Sequence, residues 1–101
     1  MDAYIAWGHG TQTDGTPDCG CSYNGVSEAE LMGPIASALV AELRYHGLTV
    51  GSDVDTNNDR NMTYTVRDAN GGGAKIYVSV HCDFYLAPSG TYPICHPYSP
   101  E

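Results

Sequence analysis

Ala74-Lys75-Ile76-Tyr77-Val78-Ser79-Val80-His81-Cys82-Asp83 is the stretch on which the fold turns. From Ile76 to Val80 it is mostly β-branched and aromatic, and Gly71-Gly72-Gly73 bounds it upstream, which predicts a buried strand. Such a strand should run out in apolar residues or a turn. This one ends in His81, Cys82 and Asp83, three groups able to bind metal or move protons. In open α/β sheets the carboxyl ends of strands are where ligands sit. Near the amino terminus the pattern recurs, with Ala3-Tyr4-Ile5-Ala6-Trp7 running into Gly8-His9-Gly10. Two apolar strands each deliver a histidine at their carboxyl end.

Between them the chain alternates. Thr11 to Gly25 is rich in Gly, Thr, Asp, Pro and Ser and reads as one long functional loop. Ser27 is an N-cap, Glu30 completes a capping box, and Val26 with Leu31 suits a hydrophobic staple. Leu31, Ile35, Leu39 and Leu43, with Met32, Ala36 and Val40 beside them, predict the apolar face of a helix. Pro34 should kink or loosen its start, and Gly47 after His46 should end it. Leu48-Thr49-Val50 reads as a second strand, Gly51 to Asn61 as a polar loop, and Met62 to Asn70 as a short helix. Beyond Asp83, Pro88, Pro93, Pro97 and Pro100 leave room only for a short edge strand at Gly90–Ile94. Strand, helix, strand, helix, strand is the order of an α/β fold, a mostly parallel sheet flanked by helices in a single domain over 1–101.

Composition narrows the partners. The 101 residues carry a formal net charge of −8, with Arg44, Arg60, Arg67 and Lys75 the only lysines and arginines. A basic footprint for nucleic acid cannot be assembled, and anionic surfaces are repelled. No apolar run is long enough to span a membrane, and no basic segment precedes an apolar one at the amino terminus. Synthesis in the cytoplasm without a signal peptide is the expectation. On that reading Cys19, Cys21, Cys82 and Cys95 are unpaired structural thiols rather than disulfides or a Cys-rich metal site.

His9 and His81 lie near opposite ends of the chain and are joined by topology, on strands that should be neighbours in a parallel sheet. Alternation puts Tyr77, Ser79 and His81 on one face and Ile76, Val78, Val80 and Cys82 on the other, so His81 and Cys82 share a metal only if the strand has already ended. Singly, each histidine could equally be a hydrogen-bonded structural residue. A catalytic zinc typically keeps three protein ligands and one open position. Glu30 is occupied by the capping box, whereas Glu28 has no local task, so Glu28 is the better third ligand. Two neutral histidines and one carboxylate leave Zn²⁺ a net positive charge, able to lower the pKa of bound water from about 15.7 to near 7.

These residues together resemble the zinc-dependent N-acetylmuramoyl-L-alanine amidases of the amidase-3 type, found in bacterial autolysins and phage endolysins. The resemblance is carried by Gly8-His9-Gly10 after a first strand and by Ser27-Glu28-Ala29 opening a helix that ends at Gly47. Arg67-Asp68-Ala69-Asn70 and Val78-Ser79-Val80-His81-Cys82-Asp83 complete it. It implies His9, Glu28 and His81 as zinc ligands, Asp83 in a polar supporting place around the metal, and Gly90-Thr91-Tyr92 as the following strand. Cys82-Asp83 after the histidine is similar to endolysins of phages of Gram-positive bacteria. The implied activity is cleavage of the amide between the muramic acid lactyl group and the first L-alanine of peptidoglycan, at the bacterial cell wall.

Two departures bear on activity. Family members continue for several more elements, and the glutamate expected as general acid/base lies beyond residue 101, so the resemblance is to an amidase domain lacking its carboxyl-terminal part. The arginine usual before the Ala-Asn pair is out of register, with Thr65 near its place and Arg67 closer. Such a sheet should expose an apolar edge. A wall-binding module or a completing chain is an expected partner. The alternatives are a non-catalytic amidase fragment that binds zinc or wall peptide, and a small structural protein with disulfides and incidental histidines.

Overall fold

A computed structural model describes residues 1–8, 10–11, 17–18, 20, 22–56, 62–82 and 94. At its centre is β1 (Ala3–Ala6), all four residues of which are buried. The short β2 (Gly10–Thr11) and β3 (Pro17–Asp18) pair antiparallel, as do β4 (Ser22–Tyr23) and β5 (Val26–Ser27). The chain continues through α1 (Glu28–Tyr45), β6 (Val50–Ser52), a 3-10 turn (Asp53–Thr56), α2 (Met62–Gly71) and β7 (Ile76–Ser79). The main sheet has the order β6-β1-β7, and β1 pairs parallel with both neighbours, Tyr4 facing Gly51 on one side and Tyr77 on the other. The two histidine-bearing strands are therefore adjacent and parallel, as topology required.

The period of two in β1 distributes its side chains to two cores. Ala3 and Ile5 pack with Ala36 and Val40 of α1 and Val50 of β6. Tyr4 and Ala6 pack with Ala69 of α2, and the Tyr4 and Tyr77 rings stack at 5.8 Å. Helices thus cover both faces, which is why a parallel strand reads as an unbroken apolar run.

Local signals set the limits of α1. Ser27 has extended dihedrals and its Oγ accepts the Glu30 amide at 3.2 Å. At the other end Gly47 has φ +87°, its amide donates to the Arg44 carbonyl, and the Leu48 amide donates to the Leu43 carbonyl. These are the two bonds of a Schellman motif, and α2 ends in the same way with Gly73 at φ +67°. The helix runs through Pro34 without a break.

Several expectations are corrected. The buried stripe of α1 is Ala29, Met32, Gly33, Ala36 and Val40, while Leu31 and Ile35 are half exposed and Leu39 and Leu43 only flank the core. Ala36 and Val40 of that stripe pack on Ala3, Ile5 and Val50, so it and not the leucine stripe faces the sheet. The second strand is Val50–Ser52 rather than 48–50, because Leu48 and Thr49 are spent on the helix stop and on Asp2. The supposed loop from Thr11 to Gly25 carries β3, β4 and the end of β2, and the supposed polar loop from Gly51 to Asn61 starts within β6 and continues in a 3-10 turn. β7 is half exposed rather than buried, with Ile76 outermost, because among the described residues no strand pairs with its outer edge. Beside β7, Leu39, Leu43 and Leu48 with Ile5, Ile76 and Val78 line an apolar groove of about 390 Å³. Most of Phe84–Glu101, including the Gly90–Tyr92 part of the expected strand, and Cys19, Cys21 and Cys95 lie outside the described residues; Ile94 belongs to no strand.

Candidate metal centre at the carboxyl edge of the sheet

The three parallel strands end together, and their ends are joined by side chains. The Ser52 hydroxyl donates to the Ile5 carbonyl at 2.6 Å and accepts the Val54 amide at 3.2 Å, holding the end of β6 to that of β1. The Val80 amide donates to the Ala6 carbonyl at 3.1 Å, extending the β1–β7 ladder one step. Gly8 follows with φ +100°, and a Cβ there would overlap the Val80 carbonyl oxygen and stand 3.3 Å from Cε1 of His81. Only glycine lets the chain after β1 lie this close to the end of β7.

Glu28, the first residue of α1, points into this edge and is 5% exposed. Its Oε1 accepts the Cys82 amide at 2.9 Å and stands 3.0 Å from Nδ1 of His81. The other ring nitrogen of His81, Nε2, is 3.0 Å from the Ser79 hydroxyl. The His81 side chain is 46% exposed, so the carboxylate is sealed from below while the imidazole opens to solvent. β7 stops at Ser79, so His81 and Cys82 are not bound to opposite faces, and side chain and amide converge on one carboxylate.

Beneath the edge the contacts are structural. The Thr65 hydroxyl, 1% exposed on α2, meets the Tyr77 hydroxyl at 2.8 Å. Burial pushes the Tyr77 phenol above its usual range and the Asp53 charge adds to this, against the Thr65 hydrogen bond. Arg67 is exposed and lies over the Tyr64 ring at 5.5 Å, on the surface rather than at the edge.

Of the residues singled out in the sequence, Glu28 and His81 are brought together, and His9 and Asp83 lie outside the described residues. Among the described residues no three His, Cys, Asp or Glu side chains form a group able to hold a metal. Two donors do fit one. Nδ1 of His81 and Oε1 of Glu28 are 3.0 Å apart, against about 3.3 Å between ligand atoms of a tetrahedral zinc with ~2.0 Å bonds. The sequence reading missed Trp7, Ser52 and Asp53. Trp7 ends an apolar run and looks like core, and Asp53 looks like any acid of a polar loop.

Fold and edge together define an α/β protein with its polar site where parallel strands end, beside the first turn of a helix. The sequence model of the N-acetylmuramoyl-L-alanine amidase family, amidase-3 type, matches residues 4–94, and the chain belongs to that family. Its members act on peptidoglycan. No curated protein and no solved structure matches the chain. Among the described residues no helix is long and apolar enough to cross a membrane.

Proposed function

We propose that the chain is the zinc-binding part of a peptidoglycan amidase of the endolysin kind, with His9, Glu28 and His81 as the metal ligands and Asp83 supporting them. The observation that carries this is the 3.0 Å pairing of a buried carboxylate with an open imidazole at the strand ends. When bound, zinc would polarise the scissile carbonyl and make a nucleophile of water at neutral pH.

The chain's own residues prepare the donors. The Cys82 amide fixes the Oε1 lone pair of Glu28 that is not directed at His81. With Nδ1 of His81 on a metal, its Nε2–H would donate to the Ser79 hydroxyl and hold the ring in place. The Val80 amide bond to the Ala6 carbonyl and the close approach of Gly8 to Val80 hold the two strand ends together beside these donors. Protonation of the leaving amine needs a general acid, and none of the described residues is given that role. The formal net charge of −8 suits delivery to an anionic wall by a separate wall-binding module.

Zinc per chain in the purified protein tests the reading, compared with His81→Ala and Glu28→Ala. About one zinc in the parent and its loss from both variants is the expected result. A metal-free parent, or variants that keep the metal, refutes it. Release of new L-alanine amino groups from peptidoglycan, measured on the same samples, separates an amidase from a fragment that only binds.

A further inference from the structure

We propose that Trp7 is a positioning residue for this metal centre, its indole N–H setting the distance between the end of β1 and the turn of α1 that carries Glu28. The inference rests on the zinc reading above. Trp7 stands two residues before His9 in the sequence, and the period of two places its ring on the α1 side, with Ala3 and Ile5. There Nε1 donates to the carbonyl of Ala29 at 2.7 Å. Ala29 is the next residue after Glu28 and is itself buried.

The ring is seated by the absence of a side chain. A Cβ on Gly33 would overlap Cζ2 of the indole and stand 2.6 Å from Cε2 and 3.0 Å from Nε1. Glycine inside a helix costs about 1 kcal/mol relative to alanine. Here it leaves the space beside α1 that the indole fills while Nε1 reaches the Ala29 carbonyl.

The backbone of Trp7 is held as firmly as its ring. Its amide donates at 2.9 Å to Oδ1 of Asp53, which is 1% exposed at the end of β6. The next residue, Gly8, rests on Val80 and against the His81 ring. Trp7-Gly8 therefore meets the 3-10 turn after β6 through Asp53, α1 through Ala29 and Gly33, and the residues after β7 at Val80 and His81. A shift of α1 along the sheet would carry Glu28 away from His81 and Cys82, and the indole hydrogen bond to the adjacent Ala29 carbonyl opposes it from the β1 side. A packed indole N–H ordinarily finds an acceptor; here the acceptor is the carbonyl of the residue next to Glu28.

Trp7 is the only tryptophan, so growth on β-(3-benzothienyl)alanine replaces this one N–H by sulfur and keeps the bicyclic shape. Zinc affinity would be read by competition with a chromogenic chelator, at a temperature where parent and analogue are both folded. Thermal unfolding of the metal-free proteins is followed alongside. A rise in Kd of about 10–100-fold is expected, the range seen when groups that orient ligands are lost, with the metal-free midpoint lowered by only a few degrees. Trp7→Phe should weaken zinc at least as much, and a lower midpoint with unchanged Kd would make Trp7 a packing residue and overturn the proposal. His81→Ala separates the two readings. If it abolishes binding while the benzothienyl protein keeps parental affinity, only the role of Trp7 falls; if the parent binds no zinc, both fall.

Discussion

Alanine at Gly33 should destabilise this protein, although alanine for glycine in a helix interior is ordinarily favourable by about 1 kcal/mol. The Trp7 indole occupies the space into which the new methyl would project, with Cε2 at 2.6 Å and Nε1 at 3.0 Å from it. The ring cannot swing away freely, because Nε1 is bonded to Ala29 and the Trp7 amide to Asp53. Overpacking of a seated side chain costs about 1–3 kcal/mol. Set against the helix gain, the net loss is up to about 2 kcal/mol, and in a domain of this size each 1 kcal/mol moves the midpoint by about 4–8 °C. Gly71→Ala is the control, since it ends α2 with nothing within 4 Å of the added carbon and should be neutral or gain up to about 1 kcal/mol. Urea unfolding followed by circular dichroism measures both. In a Trp7→Phe background the Gly33→Ala penalty should shrink, which a double-mutant cycle reads directly. A Gly33→Ala protein as stable as the parent or more so would refute the seating of the indole on α1.

Ile5→Ala, at 1% exposure between Ala36, Val40 and Val50, should cost about 2–5 kcal/mol in the same assay, much of the stability of a small domain. The Asp2 carboxyl is held below its usual range by the Thr49 amide at 2.8 Å and then the Thr49 hydroxyl at 2.9 Å. Its contribution is therefore present above the ordinary carboxylate range and lost as pH falls through the lowered value, so Asp2→Ala should be less stable than the parent near neutrality and converge with it in acid. Tyr77 has the opposite sign. Its phenol is raised by burial and by Asp53, so its contribution is full below about pH 10 and lost as pH rises through the raised value. Tyr77→Phe should lose about 1 kcal/mol near neutrality with the Thr65 hydrogen bond, and its urea midpoint should fall less than the parent's above pH 10.

How much of this was legible in the sequence varies from element to element. The limits of α1 were, because Ser27 and Gly47 act on the few residues beside them. The adjacency of the histidine-bearing strands was, because parallel strands with helical crossovers leave few orders. The sequence left Glu28 without a local task by assigning the capping box to Glu30; the structure shows Ser27 Oγ accepting the Glu30 amide and turns Glu28 to Cys82 and His81. The face of α1 was misjudged, since Leu31 and Ile35 satisfy helical spacing as well as Met32 and Ala36 do. Spacing shows which residues share a stripe, and only the approach of the sheet selects among overlapping stripes.

By itself, then, the sequence determined the alternation of strands and helices, the helix stops, the family, and the residue types gathered at strand ends. Those are consequences of dihedral preference, periodicity and short-range hydrogen bonding, which act over a few residues. The tertiary structure alone decided that Glu28 is buried against His81, residues 53 positions apart. It also decided that Trp7 lies in the gap left by Gly33 and that Asp53 holds the Trp7 amide. Each joins groups far apart in sequence through contacts of a few ångströms, and such contacts exist only once packing has brought the strand ends and the first turn of α1 together.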